Sequence, residues 1–247
     1  MRAMKSLTLI DTKLFIREPI GTFFTLAFPV LLVLLFGAIF GNEPNEMFGG
    51  YGSMDISMPG YVAMILTTVG LMNIPITMCG YRETGVLRRL KITPLKPLTF
   101  IGSDLLTNLV MTLLGMLLVV LLGWLIHRVR FEGQAIPVFL GVIYSALAMF
   151  SVGYLIASLA PTQRAANIIG LVILYPMLYL SGAFMPLETM PETLQSVSKF
   201  LPLTYVVNLL RGLWFGKPTS ELWLPVLVLG AMLVVCSALA ARLFRWE

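Results

Sequence analysis

Arg82, Glu83, Arg88, Arg89, Lys91 and Lys96 fall within one stretch of seventeen residues, YRETGVLRRLKITPLKP at 81–97, in a chain of mean hydropathy +0.90. Side chains of these types can dock a partner, hold a helix end or meet an anionic surface, but they lack a nucleophile or a paired acid and base. The rest of the chain adds little catalytic chemistry. His127 is the single histidine and stands beside Arg128 and Arg130, which reads as an interfacial residue. Cys79 and Cys236 are far apart inside apolar segments, so neither redox chemistry nor a metal site is suggested, and both read as small buried hydrophobes. No GxxxxGK[ST] occurs, so the chain has no Walker loop to cradle nucleotide phosphates. Work drawn from a nucleotide must then be done by another polypeptide.

The elements that position the charged stretch follow from composition. With 58% hydrophobic and 12% charged residues among 247, the chain is too apolar for a soluble domain and reads as an all-α integral membrane protein. The start does not read as a cleavable signal, because Lys5, Asp11, Lys13, Arg17 and Glu18 interrupt it. Charge-free windows predict six crossings at 19–42, 56–81, 105–126, 133–163, 165–187 and 222–241. The apolar stretch 200–210 is too short and contains Pro202, so it is expected to dip in without crossing. With both termini inside, twelve of the seventeen Lys and Arg lie on the cytoplasmic side, as the positive-inside rule requires. The net charge of +5 therefore reflects topology, with no nucleic-acid partner implied.

Within that frame, residues 82–92 form a cytoplasmic loop. Leu87 and Leu90 make an apolar pair, Glu83 and Thr84 precede them, and Arg88, Arg89 and Lys91 follow, so a short helix with charges matched to its dipole is predicted. Pro94 and Pro97 stop it. A helix this short needs bracing by lipid or protein. Its two apolar knobs resemble a docking element, where a loop that only fixes orientation would need charge alone. Leu7, Ile10 and Leu14 predict an interfacial helix over 1–18. Polar residues inside the crossings are few, with Asn73, Thr77, Asn108 and Asn167 the candidates for a translocation path. Asp104 is expected to serve a structural role, as a helix cap or a partner of Arg82 or Lys96. Met54, Met58, Met64, Met72, Met78, Met177 and Met185 are expected to fill a core.

Two stretches carry a family resemblance. RETGVLRRLKITPLKP looks like the inner loop of ABC type-2 exporter permeases, in which Glu, Gly, Leu and Thr-Pro-Leu follow at this spacing. YLSGAFMPLETMPETLQSVSKFLPLTYVVNLLRGLWFG at 179–216 is similar to that family's stretch after the fifth helix, and the loop resembles the drug-resistance members more than the polysaccharide ones. The resemblance implies a single transmembrane domain over 1–247, with 82–92 a coupling helix seated on an ATPase. Glu83, Thr84, Gly85, Leu87, Arg88 and Leu90 would carry the coupling, Gly85 by letting the ATPase surface approach. It further implies a re-entrant outer hairpin over 184–212, shaped by Pro186, Pro191, Pro202, Tyr205 and Arg211.

The expected function is the permease subunit of an ATP-driven exporter for a hydrophobic drug, lipid or lipid-linked glycan in the cytoplasmic membrane. The subunit itself is expected to be neither an enzyme nor a holder of cofactor or metal. ATP and Mg would be bound by a cytoplasmic ABC ATPase, and the other partners would be a second permease copy and membrane lipid. An ion- or proton-coupled secondary transporter is the alternative, which the absence of a buried carboxylate pair disfavours. A membrane enzyme such as an acyl- or glycosyltransferase would draw on Asp55, Glu188 and Glu192 outside the membrane.

Overall fold

The computed structural model describes residues 8, 12, 13, 15, 22–46, 49–91, 97–184, 187 and 190–244, with the backbone alone at 24, 90, 91, 97, 98 and 219. Among them the regular structure is helical throughout. A π-helical turn at Phe23–Ala27 leads into α1 (Phe28–Phe40). α2 (Ser53–Glu83), the short α3 (Val86–Lys91), α4 (Pro97–His127), α5 (Ala135–Leu159) and α6 (Gln163–Leu180) follow. α7 (Glu192–Ser198), α8 (Pro202–Trp214) and α9 (Trp223–Leu243) complete the order.

Five of these, α2, α4, α5, α6 and α9, are long and apolar enough to cross a membrane, while the apolar helix Thr25–Phe40 falls short of that length. The windows read from hydropathy thus locate the helices, with ends shifted by a few residues. The largest shifts are at the third window, where the helix begins at Pro97, eight residues before the expected start, and at the fifth, where it stops at Leu180, seven residues before the expected end, and Ser181 and Gly182 turn the chain. Most of the interfacial helix expected over 1–18 lies outside the described residues, as does Met185.

α2 is the central post. In its most apolar window 78% of residues are buried inside the protein, against 17% in α9. Met54, Met58, Met64 and Met78 on α2 and Met177 on α6 join the core, as expected. The other helices turn Leu117, Leu121, Leu125, Leu227, Val234 and Val235 outward, an exterior that only a hydrocarbon solvent tolerates.

Pro75 lies in the middle of this post and has no N–H to give the preceding turn. The backbone answers with a π-helical segment, Val69–Asn73, just before it. The segment brings α2 against α5 backbone to backbone, since a Cβ on Gly153 would lie 2.0 Å from the Gly70 carbonyl oxygen. Small residues permit the contact, the usual way helices approach closely where water supplies no drive.

With 31 residues, α2 is about 46 Å long at 1.5 Å per residue, which exceeds the roughly 30 Å hydrocarbon layer. Its ends therefore stand clear of the apolar zone, one at Ser53 and the other at Arg82 and Glu83.

Candidate functional site

The charged stretch is built at the Glu83 end of α2. Residues 82–92 were expected to form one helix, but Arg82 and Glu83 belong to the last turn of α2, and the chain breaks at Thr84 and Gly85. Thr84 N and Oγ both donate to the Gly80 carbonyl, and Gly85 N donates to that of Arg82 at 3.1 Å. Gly85 has φ +71, which an L side chain resists. Open space surrounds its missing Cβ, so within this chain the turn, and not close packing, requires the glycine. Only then does α3 begin, with no acid in its first turn.

Glu83 nevertheless meets a helix N-terminus, on a different helix. Its Oε1 accepts from Gln163 N, the first residue of α6, at 2.9 Å. Thr162 Oγ1 accepts from Ala165 N at 3.1 Å and caps the same end. Arg82 reaches the neighbouring pole: its guanidinium donates to the carbonyls of Ala157, at 3.3 Å, and Ala160, at the C-terminus of α5. Adjacent charges of opposite sign therefore satisfy opposite helix poles on either side of the α5–α6 turn.

Leu87 is only 1% exposed and belongs to the core, so the helix is anchored to its own chain by the residue read as an outward knob. Burying that side chain is worth about 1.5–3 kcal/mol, which answers the need of so short a helix for bracing. The outward face presents Arg88 and Arg89 instead. Leu90 lies on the helix with its backbone described.

Behind this end lies a cavity of about 340 Å³. Three of the four path candidates, Asn73, Thr77 and Asn108, line it together with Tyr81, Asp104 and Thr107, whereas Asn167 is not among its described lining residues. Asn73 Nδ2 donates to Asn108 Oδ1 at 2.8 Å, and Asn108 Nδ2 donates to the Asp104 carbonyl at 2.9 Å. The Asp104 carboxylate accepts from the Tyr154 hydroxyl at 2.7 Å. Arg82 is engaged elsewhere and does not hold Asp104, and Lys96, the other expected partner, lies outside the described residues.

At the opposite end Pro191 caps α7 and Pro202 opens α8, both positions where a missing N–H costs nothing. Tyr205 Oη donates to the Lys199 carbonyl at 2.7 Å, and Arg211 Nη2 to the Gly182 carbonyl at 3.0 Å. This last bond brings the end of α8 back to the end of α6. Pro186 lies outside the described residues. α8 has only 13 residues, about 20 Å, too short to cross.

Sequence reasoning missed the knot beside it. Asp55, 1% exposed, accepts from Asn42 Nδ2 at 2.9 Å, Arg130 N at 2.8 Å and Gly52 N at 3.0 Å. Asn42 Nδ2 also donates to the His127 carbonyl, and Asn42 Oδ1 accepts from Met54 N and Asp55 N. Three chain segments, after α1, before α2 and after α4, are tied together here. The local signal was an acid three residues past the last glycine of an Asx- and Gly-rich loop, the pattern of a helix N-terminus. The His127 ring packs where a Cβ on Gly37 would stand. Nearby, the Tyr51 hydroxyl donates to Glu132 at 2.9 Å, and this bond to a carboxylate holds the phenol above its ordinary pKa.

A helical bundle with an apolar exterior and an arginine-bearing cap held on one end is a multi-pass membrane protein. Comparison with known families narrows the class: the ABC-2 type transporter model matches residues 2–215, and the chain belongs to that family. It is 28% identical over 231 residues to the daunorubicin resistance ABC transporter permease protein DrrB1 of Streptomyces coeruleorubidus, covering 89% of this chain and 76% of that one. It is 27% identical over 180 residues to the probable multidrug ABC transporter permease YbhR of Escherichia coli K12, covering 70% of this chain. The putative transport permease ycf38 of Cyanophora paradoxa is 28% identical over 225 residues, 85% of this chain and 74% of its own. The matched region spans only 48% of YbhR.

Proposed function

We propose that the chain is the membrane-spanning subunit of an ATP-driven exporter. It works as a pair of identical chains, each served by a separate ATP-hydrolysing subunit that binds ATP and Mg. The observation that carries this reading is the family match, which includes the charged loop, together with the exposed Arg88 and Arg89 on a helix anchored from behind by Leu87. Two arginines on a braced, outward-facing turn suit an acidic rim on a partner protein. The coupling helix faces the cytoplasm, with α1 completing six crossings and both termini inside. α7 and α8 form a re-entrant hairpin on the outer side, where irregular backbone is sheltered by protein.

The cargo is an amphipathic drug-like or lipid-like molecule. The cavity supports this, since it combines Asn, Thr and Tyr groups with apolar walls behind the coupling end. The permease, reconstituted in liposomes with the ATPase subunit that co-purifies with it, should move lipophilic dyes only with ATP and Mg. Transport by the permease alone under a pH gradient would overturn the proposal in favour of a secondary transporter.

A further inference from the structure

We infer that Arg82 and Glu83 are a positioning pair that makes the α5–α6 turn move with the coupling helix. The inference rests on the proposed function for its consequence, and on geometry for its existence. α3 is joined to α2 by only Thr84 and Gly85, and the residues just before that joint hold the neighbouring hairpin by its backbone. Glu83 grips the positive pole of α6 and Arg82 the negative pole of α5, so a push on α3 reaches both helices without passing through the bundle core. Gly80, one turn earlier, leaves room for the Gln163 side chain, whose Oε1 lies 3.3 Å from where a Cβ would stand.

The grip is charge-assisted but exposed at Glu83, which suits a link that must hold under motion yet leaves folding to the core. Its partners are backbone groups, so a substitution at Gln163 that keeps its N–H leaves the grip intact. A proline there removes the N–H while fitting the first helical position, and Thr162, at φ −137 and ψ 158, already has the conformation a following proline demands.

The test begins on the chain alone in liposomes, with spin labels at residues 88 and 164, both exposed. The wild-type sequence and Glu83→Gln, whose amide oxygen still accepts, should give one narrow distance distribution. Glu83→Ala and Gln163→Pro should each broaden it, and the double variant should broaden it no further than either. Unchanged distributions in both single variants overturn the clamp, whatever the function. In the complex with the ATPase, both single variants should keep partner binding and ATP turnover while dye moved per ATP falls about fivefold, the loss expected for one exposed charge-assisted hydrogen bond, with Glu83→Gln restoring most of it. A wild-type ratio in Glu83→Ala, or loss of partner binding there, overturns the positioning role. Failure of the wild-type complex to move dye overturns the proposed function instead, and the spin-label result then decides the clamp by itself.

Discussion

The two ends of the bundle use the same chemistry to different effect. At the Asn42–Asp55 end, a buried carboxylate and a half-buried amide between them engage five backbone groups and each other, drawn from three chain segments. At the Arg82–Glu83 end, a guanidinium and a carboxylate also serve backbone groups, but the carboxylate is exposed and a glycine turn follows at once. A polar group whose partners are complete and dry resists change, because every donor it releases is left unsatisfied. One that is wet adds little to the stability of the fold, since water takes the place of a lost partner. The comparison assigns the first end to structure and the second to movement.

The largest effect that would sharpen this contrast is at Asp55. Asp55→Ala leaves Gly52 N and Arg130 N without their acceptor and Asn42 Nδ2 with the His127 carbonyl alone, and should cost about 3 kcal/mol, read as a fall in thermal stability of the purified protein in detergent. Glu83→Ala should cost no more than about 1 kcal/mol in the same assay, since water replaces its oxygen. Equal losses at the two sites would break the comparison.

Leu87→Asp comes next. Because Leu87 is buried, the new carboxylate should destabilise the protein by about 3 kcal/mol, while Arg88→Glu on the exposed face leaves stability unchanged and weakens binding of the ATPase. Gly85→Ala, at φ +71, should cost about 1 kcal/mol by the same unfolding measurement.

The smallest effect concerns titration at the structural end. Glu132 raises the Tyr51 pKa, so the contact stabilises the fold below the ordinary tyrosine range and is lost as pH rises through the folded value. Glu132→Gln should move the Tyr51 titration to lower pH, followed by NMR of ring-labelled tyrosine, with little change in stability at neutral pH.

Hydropathy alone located the long helices and the charged loop, because a bilayer-length apolar run is a signal that sums over many residues. The direction of Leu87 was not legible in the same way. An apolar pair at i and i+3 defines a stripe, and a stripe packs equally well on its own chain or on a partner. Glu83 shows the same limit. Its type announced a helix N-terminus, but the helix it meets begins 80 residues later in the chain, and nothing local distinguishes that helix from α3. The π-helical segment had a readable cause in Pro75, while its use, the close approach of Gly70 and Gly153, required the fold. Among the path candidates, Asn73 and Asn108 converge because both occupy the buried side of their helices, and Asn167 shows that an amide in an apolar helix need not point to the same place.

The central claim is that the Arg88 face lies in the cytoplasm and receives the ATPase, and site-directed labelling tests it most directly. Arg88→Cys and Lys217→Cys, placed at opposite ends of the bundle, would be probed in intact cells and inside-out vesicles with a membrane-impermeant maleimide, against the background of Cys79 and Cys236. The account predicts that Cys at 88 reacts only in inside-out vesicles and is protected when the ATPase is bound, while Cys at 217 reacts only in intact cells. Labelling of position 88 from outside the cell, or its full reactivity in the ATPase-bound complex, would contradict it.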